Sequence, residues 1–219
     1  MKILVGCPTS EHKDYCLKEY VEAVKKLNCD VLLIDNSEGE EYYNKIKSLG
    51  VNVIKDKYYE KARDRIVSSR NLLKERCLKN SYDYLFSLEQ DVIPPLDVIE
   101  RLLKHGKKII GALYFKLEDE DTLSPLAWVH HEGNYARRLN YSDTVEPRLM
   151  EVITCGLGCV LIHKDVLEKV NFRYDKNKKS FDDIWFGIDA REHGFKLYLD
   201  TSIKCKHLIK GMDWDKLEK

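Results

Sequence analysis

Apolar residues in the first half of the chain fall into short runs separated by stretches of helical spacing. Lys2 to Gly6 reads as a strand. Glu11 to Leu27 then carries a helical pattern, with Tyr15, Cys16, Tyr20, Ala23, Val24 and Leu27 at its apolar positions. Asp30 to Ile34 predicts a second buried strand, closed by the turn residues Asp35-Asn36-Ser37. A helix over Glu40 to Leu49 stops at Gly50, and Val51 to Lys55 predicts a third strand. A long helix from Lys61 to Lys79 follows, then a strand from Tyr84 to Leu88, a helix from Leu96 to His105 and a strand from Ile109 to Leu113. Strands alternating with helices imply βαβ units, so the pattern predicts a doubly wound α/β fold with a mostly parallel sheet flanked by helices.

The second half is less regular. Lys116 to Arg148 is polar and reads as a long loop, with the acidic run Glu118-Asp119-Glu120-Asp121. A loop of that length inside one domain is usually functional, here a wall or lid of a site. Glu151 to Thr154 and Cys159 to Ile162 read as strands flanking Gly156-Leu157-Gly158, followed by a helix from Lys164 to Val170. Phe181 to His193 predicts a helix opened by Asp182 and Asp183. Lys196 to Leu199 predicts a core strand, and Ile203 to His207 an edge strand before a charged tail.

Composition narrows the class. The 219 residues suit a single domain, 1–219, with no internal repeat or linker. Thirty-seven basic and 37 acidic residues balance, so no global charge points to nucleic acid or an anionic membrane. No apolar stretch reaches the length of a spanning helix, and Met1 to Gly6 is too short for a signal sequence, so a cytoplasmic protein is expected. The seven cysteines lack a zinc-type spacing and read as reduced core thiols.

Candidate chemistry gathers where strands end. Tyr84 to Leu88 stops abruptly at Glu89-Gln90-Asp91, and two acids there are costly unless a positive partner compensates them. In open α/β sheets ligands bind beyond the carboxyl ends of the strands, so Glu89 and Asp91 read as a divalent-metal clamp; a solvated turn is the alternative. Pro8 and Thr9, in Cys7-Pro8-Thr9-Ser10 after the first strand, offer backbone and hydroxyl groups to a nucleotide, or an ordinary helix cap. Asp35 can accept a hydrogen bond from a base or ribose, or serve the turn. Arg63 and Arg70 share a helix face, and the Arg70 fork suits a phosphate or the strand-end acids. Trp128 and Trp185 are candidate sugar platforms, and Trp185, two residues beyond Asp183, is the preferred one.

Ser69-Arg70-Asn71, then thirteen residues, then Leu85-Phe86-Ser87-Leu88-Glu89-Gln90-Asp91 resembles the nucleotide-sugar-binding half of GT-A glycosyltransferases, most nearly the family 2 group with its archaeal and phage relatives. The resemblance implies a GT-A type, Rossmann-like fold. Residues 1–115 would bind the nucleotide sugar through Pro8, Thr9, Asp35, Arg70 and Gln90, and residues 116–219 would form the acceptor side. Glu89 stands where the first Asp of a D-x-D triad is expected. Cys155 to Ile162 resembles the glycine-containing segment beside the acceptor, which implies acceptor contacts at Gly156 and Gly158, with Trp185 beside them. Phe181 to Phe186 resembles the E-D motif, which implies Asp183 and Asp182 as the catalytic acids, Asp183 as base and Asp182 in place of Glu and capping the helix; taken alone, two acids opening a helix read as ordinary caps. His207 falls where many members carry a histidine near the metal. The implied reaction is metal-dependent (Mn²⁺ or Mg²⁺) transfer of a sugar from a nucleoside-diphosphate sugar to a hydroxyl acceptor. Two alternatives stay open: a nucleotidyltransferase acting on a sugar phosphate, although the basic glycine-rich loop such enzymes usually carry after the first strand is missing, and a non-catalytic sugar-nucleotide-binding protein.

Overall fold

Six of the apolar runs lie in one sheet with their C-terminal ends at one edge, and that edge is where chemistry can happen. The structure, a computed structural model, describes residues 1–118, 122–131 and 136–210. Strand β1 (Ile3–Thr9) leads through a 3-10 segment, Glu11–Cys16, into helix α1 (Leu17–Lys25). Then come β2 (Asp30–Asp35), α2 (Glu41–Ser48), β3 (Asn52–Lys55), α3 (Ala62–Lys79) and β4 (Tyr84–Leu88). The chain continues with β5 (Val92–Ile93), α4 (Val98–Lys104) and β6 (Ile109–Leu113). Four short strands follow: β7 (Phe115–Leu117), β8 (Leu123–Pro125), β9 (Ala127–His130) and β10 (Ala136–Arg138). The remainder is β11 (Leu149–Val152), β12 (Thr154–Cys155), β13 (Cys159–His163), α5 (Lys164–Leu167), α6 (Asp182–Glu192), β14 (Leu197–Lys204) and β15 (Lys206–His207).

The central sheet has eight strands in the order β11-β14-β6-β13-β4-β1-β2-β3. β1, β2, β3, β4, β6 and β14 run one way, while β13 and β11 run against them. β13 lies between β4 and β6, so residues from the second half of the sequence complete the sheet that the first half begins. Successive side chains of a strand point to opposite faces. Val5, Cys7, Phe86, Leu88 and Leu161 therefore pack on one face against Tyr20, Val24 and Leu102. Leu4, Leu85, Val160 and Ile162 pack on the other against Leu73, Leu167 and Phe186. Burying each such side chain contributes about 1.5–3 kcal/mol. β4 is held on both faces in this way, which fixes where Glu89, Gln90 and Asp91 emerge.

Three expectations are corrected. Glu11 to Leu27 is not one helix, because Lys13 has non-helical φ −105° and ψ 20° and breaks it into a 3-10 segment and α1. Lys116 to Arg148 is not a plain loop. β7 pairs with β8, and β9 pairs with β10 and with the two-residue β12; β7 to β10 are only three or four residues long and half exposed, too short to show a period of two. Asp119, Glu120 and Asp121 of the acidic run lie outside the described residues. Ile203 belongs to β14, and only Lys206 and His207 form the following strand, paired with β5 rather than with an edge of the main sheet.

Candidate active site

β4 ends at Leu88, and the amide of Glu89 is fixed by the carbonyl of Gly158 at 3.0 Å. Glu89 turns its carboxylate to Arg70, whose Nη2 donates to Oε1 at 2.6 Å. Arg70 rises from α3 and is only 3 % exposed. Its Nη1 donates to Ser87 Oγ at 2.7 Å, and its Nε lies 2.6 Å from Asp182 Oδ2 as an ion pair off the line of a hydrogen bond. One guanidinium thus ties the end of β4 to the first turn of α6. Burial opposes its charge, but Asp182 and Glu89 outweigh that and raise its pKa.

Asp182 and Asp183 open α6 without capping it. The residue before the helix is Phe181, and no side chain caps the end. The cap expected of Asp182 is replaced by its pairing with Arg70. Burial, together with the nearby Glu89 carboxylate, still raises the Asp182 pKa, since a single guanidinium is shared between two acids. Burial first, and the charge of Asp182 second, push Asp183 up to about 6. The Asp183 carbonyl accepts a 2.6 Å hydrogen bond from Thr154 Oγ1, which docks α6 onto β12.

Asp91 forms a second cluster. Its Oδ2 receives Lys13 Nζ at 2.7 Å and lies 3.3 Å from His207 Nε2. Burial disfavours the carboxylate, yet the His207 hydrogen bond and the Lys13 charge hold its pKa down at about 2. His207 reaches Asp91 because β15 pairs with β5 and the Leu208 amide donates to the Asp91 carbonyl at 2.6 Å. His207 Nδ1 lies 2.7 Å from the Phe115 carbonyl; donation there leaves Nε2 to face Asp91. The other Asp91 oxygen, Oδ1, is buried with no hydrogen-bond partner.

A cavity of about 1120 Å³ opens over these groups. Lys13, Arg70, Glu89, Asp182 and Asp183 line it, with Leu126, Trp128, Ile153, Leu157, Ile184 and Ile188 as apolar wall. Tyr114 also lines it, and its buried hydroxyl accepts the Gly158 N–H at 3.0 Å. A Cβ added at Gly156 would lie 2.2 Å from that hydroxyl, and one at Gly158 2.7 Å. Both glycines therefore make room for Tyr114, and Gly156 also lines the cavity.

The remaining expected residues lie elsewhere. Asp35 is fully buried, with Oδ1 bonded by Ser37 and Oδ2 by Lys55 Nζ at 2.8 Å. Pro8 sits at the end of β1, and the Thr9 hydroxyl donates to Gln90 Oε1. Gln90 in turn donates to the Lys13 carbonyl at 2.7 Å and to Tyr42 Oη at 2.8 Å, so it organises the strand end from beneath. Trp185 does not line the cavity; its Nε1 donates to Ser180 Oγ and Arg173 stacks on its ring. Residues two apart on a helix face different ways, which is why Trp185 and Asp183 part, and Trp128 is the tryptophan in the wall. Glu89 is drawn to Arg70, and no group of three metal-binding side chains occurs among the described residues. Lys13 was missed, since in Glu11-His12-Lys13-Asp14 it reads as one more solvated charge.

No family model and no curated protein matches the sequence. Solved structures do. The crystal structure of GalNAc-T7 with UDP, GalNAc and Mn²⁺ superposes with a TM-score of 0.64 at 14% identity, covering 97% of this chain and 45% of that one. Staphylococcus aureus TarS 1-349 in complex with UDP-GlcNAc gives 0.59 at 12% identity, covering 94% of this chain and 56% of that one. The chain thus spans about half the length of these two structures. Both are GT-A glycosyltransferases, and the eight-stranded sheet described above is shared with them: the chain has the GT-A glycosyltransferase fold.

Proposed function

We propose that the chain is a glycosyltransferase that moves a sugar from a nucleoside-diphosphate sugar to a hydroxyl acceptor. The observation that carries this reading is the joining of two acid clusters, Glu89–Arg70–Asp182 with Asp183, and Asp91–Lys13–His207, at the end of one strand of a GT-A sheet. The solved relatives in fold were crystallised with UDP or a UDP-sugar, one of them with Mn²⁺.

In this reading Asp183, in the cavity lining, takes the proton of the acceptor hydroxyl. At about 6 its carboxyl is a stronger base than an ordinary carboxylate and is still ionised at neutral pH. As the bond from the anomeric carbon to the diphosphate breaks and the bond to the acceptor oxygen forms, the proton passes to Asp183 and negative charge collects on the diphosphate. Arg70 holds Glu89 and Asp182 in place beside Asp183. The apolar wall of Leu126, Trp128 and Ile188 suits an acceptor with an apolar face and excludes water from the reacting centre.

A divalent metal fits one part of this site. Asp91 Oδ1 is a buried acceptor with no partner, and His207 Nε2 stands beside the same carboxylate. Asp91 and His207 would hold the ion, and it would supply Lewis-acid stabilisation of the leaving diphosphate. Mixed oxygen and nitrogen donors favour Mn²⁺ over Mg²⁺.

Thermal-shift binding of a panel of nucleotide sugars, with and without Mn²⁺, tests the donor reading. Wild type is expected to be stabilised by one base class, more so with Mn²⁺, and Asp91→Ala to lose the Mn²⁺-dependent part. No shift with any nucleotide sugar would overturn it.

A further inference from the structure

Of the three members of the Asp91–Lys13–His207 cluster, Lys13 lines the cavity, and Asp91 and His207 do not. The kinked φ/ψ at Lys13 ends the first 3-10 turn, and its carbonyl is held at 2.7 Å by Gln90, the residue between Glu89 and Asp91. Its side chain is 35% exposed, so the ammonium is pinned on Asp91 at 2.7 Å while still open to a ligand.

The charges around it show what this cation is for. Glu89, Asp91, Asp182 and Asp183 bring four carboxylates to the strand end. Arg70 is sealed between Glu89 and Asp182 at 3% exposure and cannot turn to a ligand. A diphosphate entering here needs a positive group facing the cavity; Lys116, Arg138, Lys179 and Arg191 also line it, and among its cations Lys13 is the partly exposed one seated on a strand-end acid. Resting on the nucleotide-sugar reading above, we infer that Lys13 is a built-in cation of the donor site, its ammonium contacting the diphosphate directly, so that the chain binds nucleoside diphosphates without any divalent metal. In the transfer step it is a catalytic residue, because the negative charge left when the anomeric C–O bond breaks develops on the oxygens it faces.

Titration calorimetry with UDP, GDP, ADP and CDP, in EDTA and in Mn²⁺, tests this on wild type, Lys13→Met, Lys13→Gln and Lys13→Arg. Wild type is expected to bind at least one of the four in EDTA. Losing a charge-assisted contact should weaken that binding about tenfold or more in both neutral variants. Lys13→Arg should stay near wild type in EDTA, and Lys13→Met should still bind in Mn²⁺, which shows that the site is folded. Equal affinity of wild type and both neutral variants in EDTA overturns the inference, as does a wild type that binds only in Mn²⁺. Either result leaves the donor reading standing. Absence of binding in both buffers removes the donor reading and the Lys13 role together.

Discussion

Arg70 shows how a single side chain can position a site without facing its ligand. It is buried, it bridges Glu89 and Asp182, and it donates to Ser87 within β4. Burial first, and the neighbouring Asp182 carboxylate second, raise Asp183, one residue on, to about 6, and the Arg70 charge only partly offsets them. A base must be ionised to act, so kcat/KM should fall about tenfold per pH unit below about 6 and level off above it. A pH–rate profile flat across that value would exclude Asp183 as the base. Asp183→Asn should keep donor affinity and lose transfer by a factor on the order of 10²–10⁴; calorimetry and initial rates on the same protein separate the two effects. At this scale the sequence was legible where a residue type is rare in its context. Two acids closing an apolar run are conspicuous. Lys13 is not, because its importance comes from a backbone kink and from Gln90, both set by tertiary structure. Asp35 was legible as a strand-end acid, but its partner Lys55 lies 20 residues further on and becomes its neighbour only when β2 and β3 pair.

Among the elements, α6 and β12 decide whether Asp183 faces the cavity. Gly187 sits where the helix crosses β12, and an added Cβ would lie 2.4 Å from Thr154 Cβ and 2.9 Å from the Ile153 carbonyl. Backbone cannot give way as a flexible side chain can, so Gly187→Ala should cost about 1–3 kcal/mol in urea unfolding. It should also lower transfer, by lifting α6 from the Thr154 hydroxyl that holds the Asp183 carbonyl. An unchanged unfolding midpoint would show that the helix has slack here. The core strands were readable because both of their faces are buried and they appear as continuous apolar runs. The hairpins within 116–148 were not, since strands of three or four residues with one exposed face leave no periodicity to count. Trp185 was misplaced for a related reason: nearness in sequence to Asp183 is not nearness on a helix surface.

At the scale of the molecule, the expected halves meet within one sheet, with β13 from the later part of the chain inserted between β4 and β6. That insertion brings Gly158 to the amide of Glu89 and to the hydroxyl of Tyr114, so residues from both parts of the chain meet beside the cavity. Among the described residues no helix is long and apolar enough to cross a membrane. The central claim is that this cavity breaks the bond between a sugar and a nucleoside diphosphate. The direct measurement is to incubate the protein with Mn²⁺ and the nucleotide sugar it binds best, without acceptor, and to identify the products by chromatography. Slow release of nucleoside diphosphate together with free sugar, lost in Asp91→Ala, is the predicted result. Release of pyrophosphate from a nucleoside triphosphate and a sugar phosphate, or no turnover of any bound nucleotide sugar, would contradict it.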